Sequence, residues 1–338
     1  MHRAIHRRIR LIFAVAIFSA LAISAAAEVQ AQEANADATW QSLKPDVFGE
    51  RRIDEKSPLV RLTAPVRAED AAMVPIEVEV MLPAGDPRTV KKLTLIVDEN
   101  PAPVAATFSF GGERRDLTLG TRLRVNSYSF IRAVAETSDG ELHMAARYVK
   151  ASGGCSAPAL KDEETALKNI GQMKLRVVDA AKAGEKIGDA TKANRVSQLQ
   201  LMIRHPNYSG LQMDQVTRLY IPAKFVDAID VKQGDELVFS MVGGISLSED
   251  PAIQFSYEPT GKAIHVDAAD TDGRKFEGGL KPAGGAHPAG AVSWPALGRP
   301  STTFLVPKTW MPRPSPGMTM FVWRCSCDHG AAPALAPQ

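Results

Sequence analysis

The sequence predicts an all-β chain: two immunoglobulin-like β-sandwich domains in tandem, followed by an irregular C-terminal tail. Three observations carry this prediction. Apolar and polar residues alternate at the period of a half-buried strand, as in Ile76, Val78, Val80 and Leu82 against Glu77, Glu79 and Met81. Breaks rich in Gly, Asn, Asp and Pro separate the runs, as at Glu99-Asn100-Pro101, Gly111-Gly112 and Ser138-Asp139-Gly140. The pattern stops for a polar stretch and then resumes, so two strand sets of about 100 residues each share one chain.

The N-terminus reads as a secretory signal over residues 1–31. Arg3, Arg7, Arg8 and Arg10 precede an apolar core from Leu11 to Ala27, and small-residue cleavage patterns follow at Ala25-Ala26-Ala27 and Val29-Gln30-Ala31. The short core and the immediate cleavage pattern favour a removed leader over a spanning helix. The expected location is a bacterial periplasm. Cleavage removes four arginines and Glu28, so the basic excess in the formal charge of +2 belongs largely to the leader. Without a basic patch interleaved with aromatics, nucleic acid is not an expected partner. No second apolar run is long enough to span a membrane, so no membrane association is expected after cleavage.

The first domain is expected over residues 32–158. After a polar stretch containing Trp40, strand signals appear at Ile76–Leu82, Leu93–Val97, Thr107–Phe110, Leu117–Leu119, Thr121–Val125, Phe130–Ala135 and His143–Val149. Residues 159–172 read as a polar linker in which Lys161 to Lys168 have helix-forming composition. The second domain, residues 173–277, has strand signals at Met173 to Val177, Leu199–Ile203, Arg218–Ile221, Leu237–Met241, Ile253–Tyr257 and Ile264–Val266. Residues 278–338 differ in kind. They hold ten of the 23 prolines and a single carboxylate side chain, Asp328, which argues against a packed continuation. Disorder and a shifted reading frame are both open for this tail.

Chemistry concentrates on Cys155. It is the only cysteine before Cys325, so the main body cannot form an internal disulfide. A lone thiol in an oxidising compartment is either reactive or joined to another molecule. Gly153 and Gly154 precede it and predict a mobile arm. Lys150 and Lys161 are the only cations close in sequence, so activation of the thiol would have to come from elsewhere. His205, before Pro206, ends a predicted strand and is expected to shape the following turn rather than to catalyse. Cys325-Ser326-Cys327-Asp328-His329 has metal-ligating residue types, but a one-residue spacer and no second ligand pair make a poor zinc site. Lys91-Lys92 and Arg114-Arg115 read as solvated faces, and Glu77 and Glu79 as the wet side of their strand. Nucleotide, serine-hydrolase and haem motifs are absent. The chain is therefore expected to be no enzyme, and to hold no metal and no cofactor beyond a possible covalent adduct on Cys155.

These residues carry a resemblance. A first sandwich ending in Gly153-Gly154-Cys155 is similar to SoxY, the sulfur-carrying subunit of periplasmic thiosulfate oxidation, and the second sandwich is similar to SoxZ. The SoxZ-like segments are Ile203-Arg204-His205-Pro206 with Gly210 and Asp214, Ile221-Pro222-Ala223, Ser246 to Pro251, Phe255 and Asp270-Thr271-Asp272-Gly273. With Trp40, Asp46 to Gly49 and Ala64 to Asp70 near the start, the fused order resembles the quinoprotein dehydrogenase-associated SoxYZ-like carriers over residues 40 to 277.

The resemblance implies a non-catalytic thiol carrier with Cys155 as the carrier thiol, and Gly153 and Gly154 giving the arm its mobility. The group carried would be sulfur-containing, and the partners periplasmic redox enzymes, a quinoprotein dehydrogenase among them. A second reading is an accessory binding module for a periplasmic quinoprotein (PQQ) alcohol dehydrogenase system, in which Cys155 is dispensable. Both readings expect stable contact between the SoxY-like and SoxZ-like halves. One departure stands out: a SoxY arm ends its chain near Gly-Gly-Cys-Gly-Gly, whereas Ser156, Ala157, Pro158 and a whole domain follow Cys155 here. An arm tethered at both ends reaches at most about 20 Å beyond Val149.

Overall fold

The computed structural model describes residues 38–158, 167–178 and 197–281. The expected signal peptide, most of the linker, the tail from residue 282 and the Cys325 to His329 cluster lie outside the described residues. Among the described residues the elements are a helix, α1 (residues 38–48), and fifteen strands, with residues 167–168 also helical. In the first half these are β1 (Ile53–Asp54), β2 (Val60–Thr63), β3 (Val74–Met81), β4 (Val90–Val97), β5 (Val104–Phe110), β6 (Asp116–Leu123), β7 (Ser129–Thr137) and β8 (Leu142–Val149). In the second they are β9 (Met173–Val178), β10 (Ser197–Ile203), β11 (Val226–Gln233), β12 (Glu236–Gly243), β13 (Ala252–Tyr257), β14 (Ile264–Asp270) and β15 (Lys275–Leu280). The chain is all-β as expected, with immunoglobulin-like sandwich halves.

The two halves are joined more intimately than docked neighbours. Their strands form two continuous sheets, in the orders β1-β8-β7-β4-β5-β12-β11-β14-β15 and β2-β3-β6-β13-β10-β9. In the larger sheet β5 pairs antiparallel with β12, from Phe110 against Phe239 to Ala106 against Gly243. In the smaller sheet Leu119 and Gly120 of β6 pair with Phe255 and Gln254 of β13. The expected apolar contact is present as a single core spanning both halves. Phe108 meets Phe239 edge-on at 5.6 Å, and Phe239 meets Phe255 at 4.9 Å, so an aromatic chain crosses the junction inside the sandwich.

Strand burial follows from what covers each face. In β3 buried and more exposed positions alternate from Val74 to Met81, because its outer face meets water; Glu77 lies on that face as expected. In β4 burial is unbroken from Leu93 to Val97, and in β7 from Ile131 to Ala135. Leu93, Leu95 and Val97 enter the sandwich core, while Ile96 and Val134 face a second cluster formed with Trp40 of α1. The helix therefore roofs the outer face of the larger sheet. It was not expected from the polar composition around Trp40, although Trp40, Leu43 and Val47 lie at helical spacing. The Arg132 guanidinium stacks 4.5 Å from the Trp40 ring and ion-pairs with Asp98 at 2.8 Å.

Several expected elements need correction. Leu117–Leu119 and Thr121–Val125 are one strand, β6, running through Gly120. Arg218–Ile221 is not a strand: Arg218 has a positive φ of 60° and sits in a tight loop held by Asp214. Strands β11 and β15 were not expected, and β15 reaches Leu280, past the composition change at residue 278. Arg114 is no solvated cation; it donates to the Ser256 carbonyl across the junction at 2.7 Å and lies over Phe110.

Candidate functional site

Cys155 lies at the end of a segment that both halves grip. After β8 the chain stays beside residues 66–68, with Lys150 donating to the Val66 carbonyl at 2.9 Å and accepting from the Ala68 N–H at 3.2 Å. Gly153 then takes a left-handed φ of 80° and donates to the Asn126 carbonyl at 2.8 Å, and Gly154 donates to the Val125 carbonyl at 3.0 Å. A Cβ on Gly154 would stand 2.1 Å from the Ala71 carbonyl oxygen and 2.7 Å from that of Val125. Here glycine permits close backbone approach. The two glycines, expected to confer mobility, form a docked turn in this structure.

The second half closes the site. The Ser209 hydroxyl donates to the Cys155 carbonyl, and the Gln212 side-chain amide donates to the Ala157 carbonyl at 3.0 Å. Gln212 also accepts the Ser209 N–H at 3.0 Å, so the two gripping residues fix each other. Arg124, next to the end of β6, donates through Nη1 to the Gly154 carbonyl and through Nη2 to the Asn207 carbonyl, each at 3.2 Å. The guanidinium thus ties the cysteine segment to the second half. Cys155 itself is 0% exposed.

Burial sets the electrostatics. It pushes the Cys155 thiol up to about 11, and the nearby Arg124 guanidinium pulls only partly the other way. In the docked position the sulfur is a neutral thiol at physiological pH, sheltered from reaction. Burial likewise holds the Arg124 pKa below its ordinary value, opposed by attraction to Cys155 first and then to Glu249 and Asp70. The cation that sequence proximity could not supply therefore comes from beyond the end of β6, distant in sequence from Cys155.

His205 has the structural role expected of it. Its ring is buried, and Nδ1 accepts the Asn207 N–H at 3.0 Å. That contact assigns the proton to Nε2, which faces Asp270 Oδ2 at 3.4 Å. Burial pushes the His205 pKa down. Asp270 also accepts the N–H groups of Asp272 and Arg274, and Asp250 accepts the His205 N–H at 3.1 Å. The motif residues around His205 build the platform that presents Ser209 and Gln212. Sequence reasoning missed Arg124, Ser209 and Gln212, which hold Gly154, Cys155 and Ala157 respectively through tertiary contact. Among the described residues no group of His, Cys, Asp and Glu could hold a metal ion, and no helix is long and apolar enough to cross a membrane.

A tandem β-sandwich with a lone cysteine docked at the junction defines a class in which one half carries the thiol and the other closes over it. Family profiles identify the halves: residues 44–155 match "Sulfur oxidation protein SoxY" and residues 186–281 match "Sulphur oxidation protein SoxZ". The chain belongs to these families as a fused SoxYZ-like protein, and its domains are those of a sulfur-oxidation carrier. The SoxY match ends on Cys155 itself. Among solved structures it is similar to the sulfur carrier protein SoxY from Chlorobium limicola f thiosulfatophilum, at 23% identity and a TM-score of 0.27, over 34% of this chain and 96% of that one. It is also similar to a superoxide reductase (neelaredoxin) from Ignicoccus hospitalis, at 16% identity and a TM-score of 0.23, over 27% of this chain and 77% of that one. No curated protein matches by sequence.

Proposed function

We propose that this chain is an exported, non-catalytic thiol carrier that holds a sulfur-containing intermediate covalently on Cys155 and presents it to redox enzymes of the periplasm. The observation that carries the reading is the position of Cys155. The one cysteine of the described residues ends the SoxY match and sits in a segment held by a few hydrogen bonds outside both sheets. Releasing those bonds would free the thiol while leaving every strand pair in place.

In this reading Gly153 and Gly154 serve twice. They allow the tight docked turn, and they give the released segment its freedom. The short reach of a doubly tethered arm suits a partner with an open cleft, and the resemblance names a quinoprotein dehydrogenase as one candidate. The test is intact-mass spectrometry, without reductant, on protein isolated from its native periplasm. The expected result is a mass increment mapped to Cys155 and removed by reductant, with loss of pathway function in Cys155→Ser. A Cys155→Ser variant that works normally sinks the carrier reading and leaves the accessory-module role.

A further inference from the structure

Residues 208–224 form a hairpin that stands outside both sheets. Tyr208 pairs with Lys224, and Met213 with Tyr220, across its arms. The Ile221 N–H donates to the Gln212 carbonyl at 2.8 Å, and the Asp214 N–H to the Leu219 carbonyl at 2.9 Å. The Asp214 carboxylate closes the tip, accepting the Val216 N–H at 3.1 Å and the Thr217 N–H at 2.6 Å. The projection is thus braced by its own hydrogen bonds.

What it displays is apolar. Ten large apolar side chains are exposed among the described residues, and Leu211, Met213, Val216, Leu219 and Tyr220 are five of them. Val216, Leu219 and Tyr220 are 89%, 69% and 66% exposed and belong to neither core. Single exposed apolar residues are ordinary, but five on one braced projection mark a surface built to be covered. Arg218 shares the tip, exposed and held at a φ of 60° that disfavours a residue with a Cβ. The only carboxylate of the hairpin, Asp214, is committed to the turn, and Lys224 to Asp272 at 2.8 Å. The display is therefore apolar with one outward cation. Tyr, Met and Arg are among the residues enriched where proteins bind one another.

The base of the hairpin adjoins the thiol, since Ser209 holds the Cys155 carbonyl and Gln212 that of Ala157. A protein that covers the tip lies beside that segment. We propose that residues 211–220 are the docking surface for the redox enzyme that works on Cys155, which meets them with an apolar cleft rimmed by carboxylates. The proposal rests on the carrier reading and deepens it, by giving the partner's contact a place and a chemistry. Charge argues against two other occupants. Residues 282–338 carry four Lys and Arg side chains against one carboxylate side chain, and so mismatch Arg218. In a two-fold contact between copies, each Arg218 meets a hairpin whose single carboxylate is already engaged.

The experiment places the photo-crosslinker p-benzoylphenylalanine at Val216 of the full-length chain, expressed in its native cells. A control carries it at Val242, 66% exposed on β12. Both side chains are exposed, so thermal midpoints should stay within about 1 °C of the wild-type value. On illumination the Val216 form is expected to join one periplasmic redox enzyme, through an apolar segment that bears Asp or Glu. The control is expected not to join it. Arg218→Glu should cut the yield about tenfold, and Arg218→Lys should leave it within about twofold, because the contact reads charge. No crosslink, an equal yield from Val242, an unchanged yield in Arg218→Glu, or joining only to residues 282–338 or to a second copy overturns the proposal. The native-mass measurement at Cys155 decides the carrier reading separately. A crosslink without a native adduct keeps the docking surface and removes the carrier, and an adduct without a crosslink does the reverse.

Discussion

At the scale of single residues, the protein controls one sulfur by burial. With the thiol pushed up to about 11 when docked, against 9.0 for the free group, the docked segment binds more protons than the released one between those values. The thiol's contribution to docking is therefore fully present below about pH 9 and is lost as pH rises through about 11. Alkylation of Cys155 is expected to be on the order of a hundredfold slower at pH 8 in the native protein than in denaturant, and to go on rising with pH beyond 9, where an ordinary thiolate titration levels off. A native rate equal to the denatured rate sinks the docked description. Ser209→Ala removes the donor to the Cys155 carbonyl and is expected to speed labelling about fivefold, equivalent to one hydrogen bond of about 1 kcal/mol.

The two glycines before the cysteine make separable predictions. Gly154→Ala drives a Cβ into the Ala71 carbonyl, so the segment should undock at a cost of about 1–3 kcal/mol. Gly153→Ala meets open space and suffers only from its positive φ, costing about 1 kcal/mol. Both should raise the labelling rate, Gly154→Ala more, with little change in the thermal midpoint because no strand is touched. A large midpoint loss in either shows that the segment supports the fold and is no detachable arm.

At the scale of elements, α1 converts one face of a sheet into a second core. Trp40→Ala is expected to cost about 3–5 kcal/mol in urea denaturation, since it empties the centre of the cluster formed with Ile53, Ile96, Val134, Leu142 and Met144. Strands with one wet face, such as β3, were legible because alternation reports that geometry directly. The run from Leu93 to Val97, interrupted only by Thr94, also held information: both faces of β4 are covered, and Trp40, Leu43 and Val47 supply the cover on one of them. Strand β11 escaped notice because bulges between Val226 and Ala228, and between Val231 and Lys232, break its parity. Strand β15 has Phe276, Gly278 and Leu280 on its more buried face, too weak an apolar signal at a sheet edge.

The site divides the same way. Cys155 was legible because it is solitary. Arg124 was not: alternation with Leu123 and Val125 assigns it to the outer face, but β6 stops at Leu123 and the chain turns Arg124 inward. Ser209 and Gln212 act on Cys155 and Ala157 across 54 and 55 residues, a separation with no local signature.

At the scale of the whole molecule, the halves share two ladders and one core. Cutting an engineered protease site within residues 159–166 should leave them together at micromolar concentration in size-exclusion chromatography, and unfolding should stay a single transition by two spectroscopic probes. Separate elution of the halves contradicts the continuous sheets.

The pairing of β5 with β12 and of β6 with β13 has a further consequence, for the life of the chain before it is folded. Either half alone would present one open, apolar strand edge in each of its two layers, the kind of surface on which proteins polymerise. Joining the halves covalently means that each edge is born beside its own cap. The fusion would then act as an intramolecular chaperone, and a half produced alone is expected to form insoluble β-rich material that its separately supplied partner suppresses.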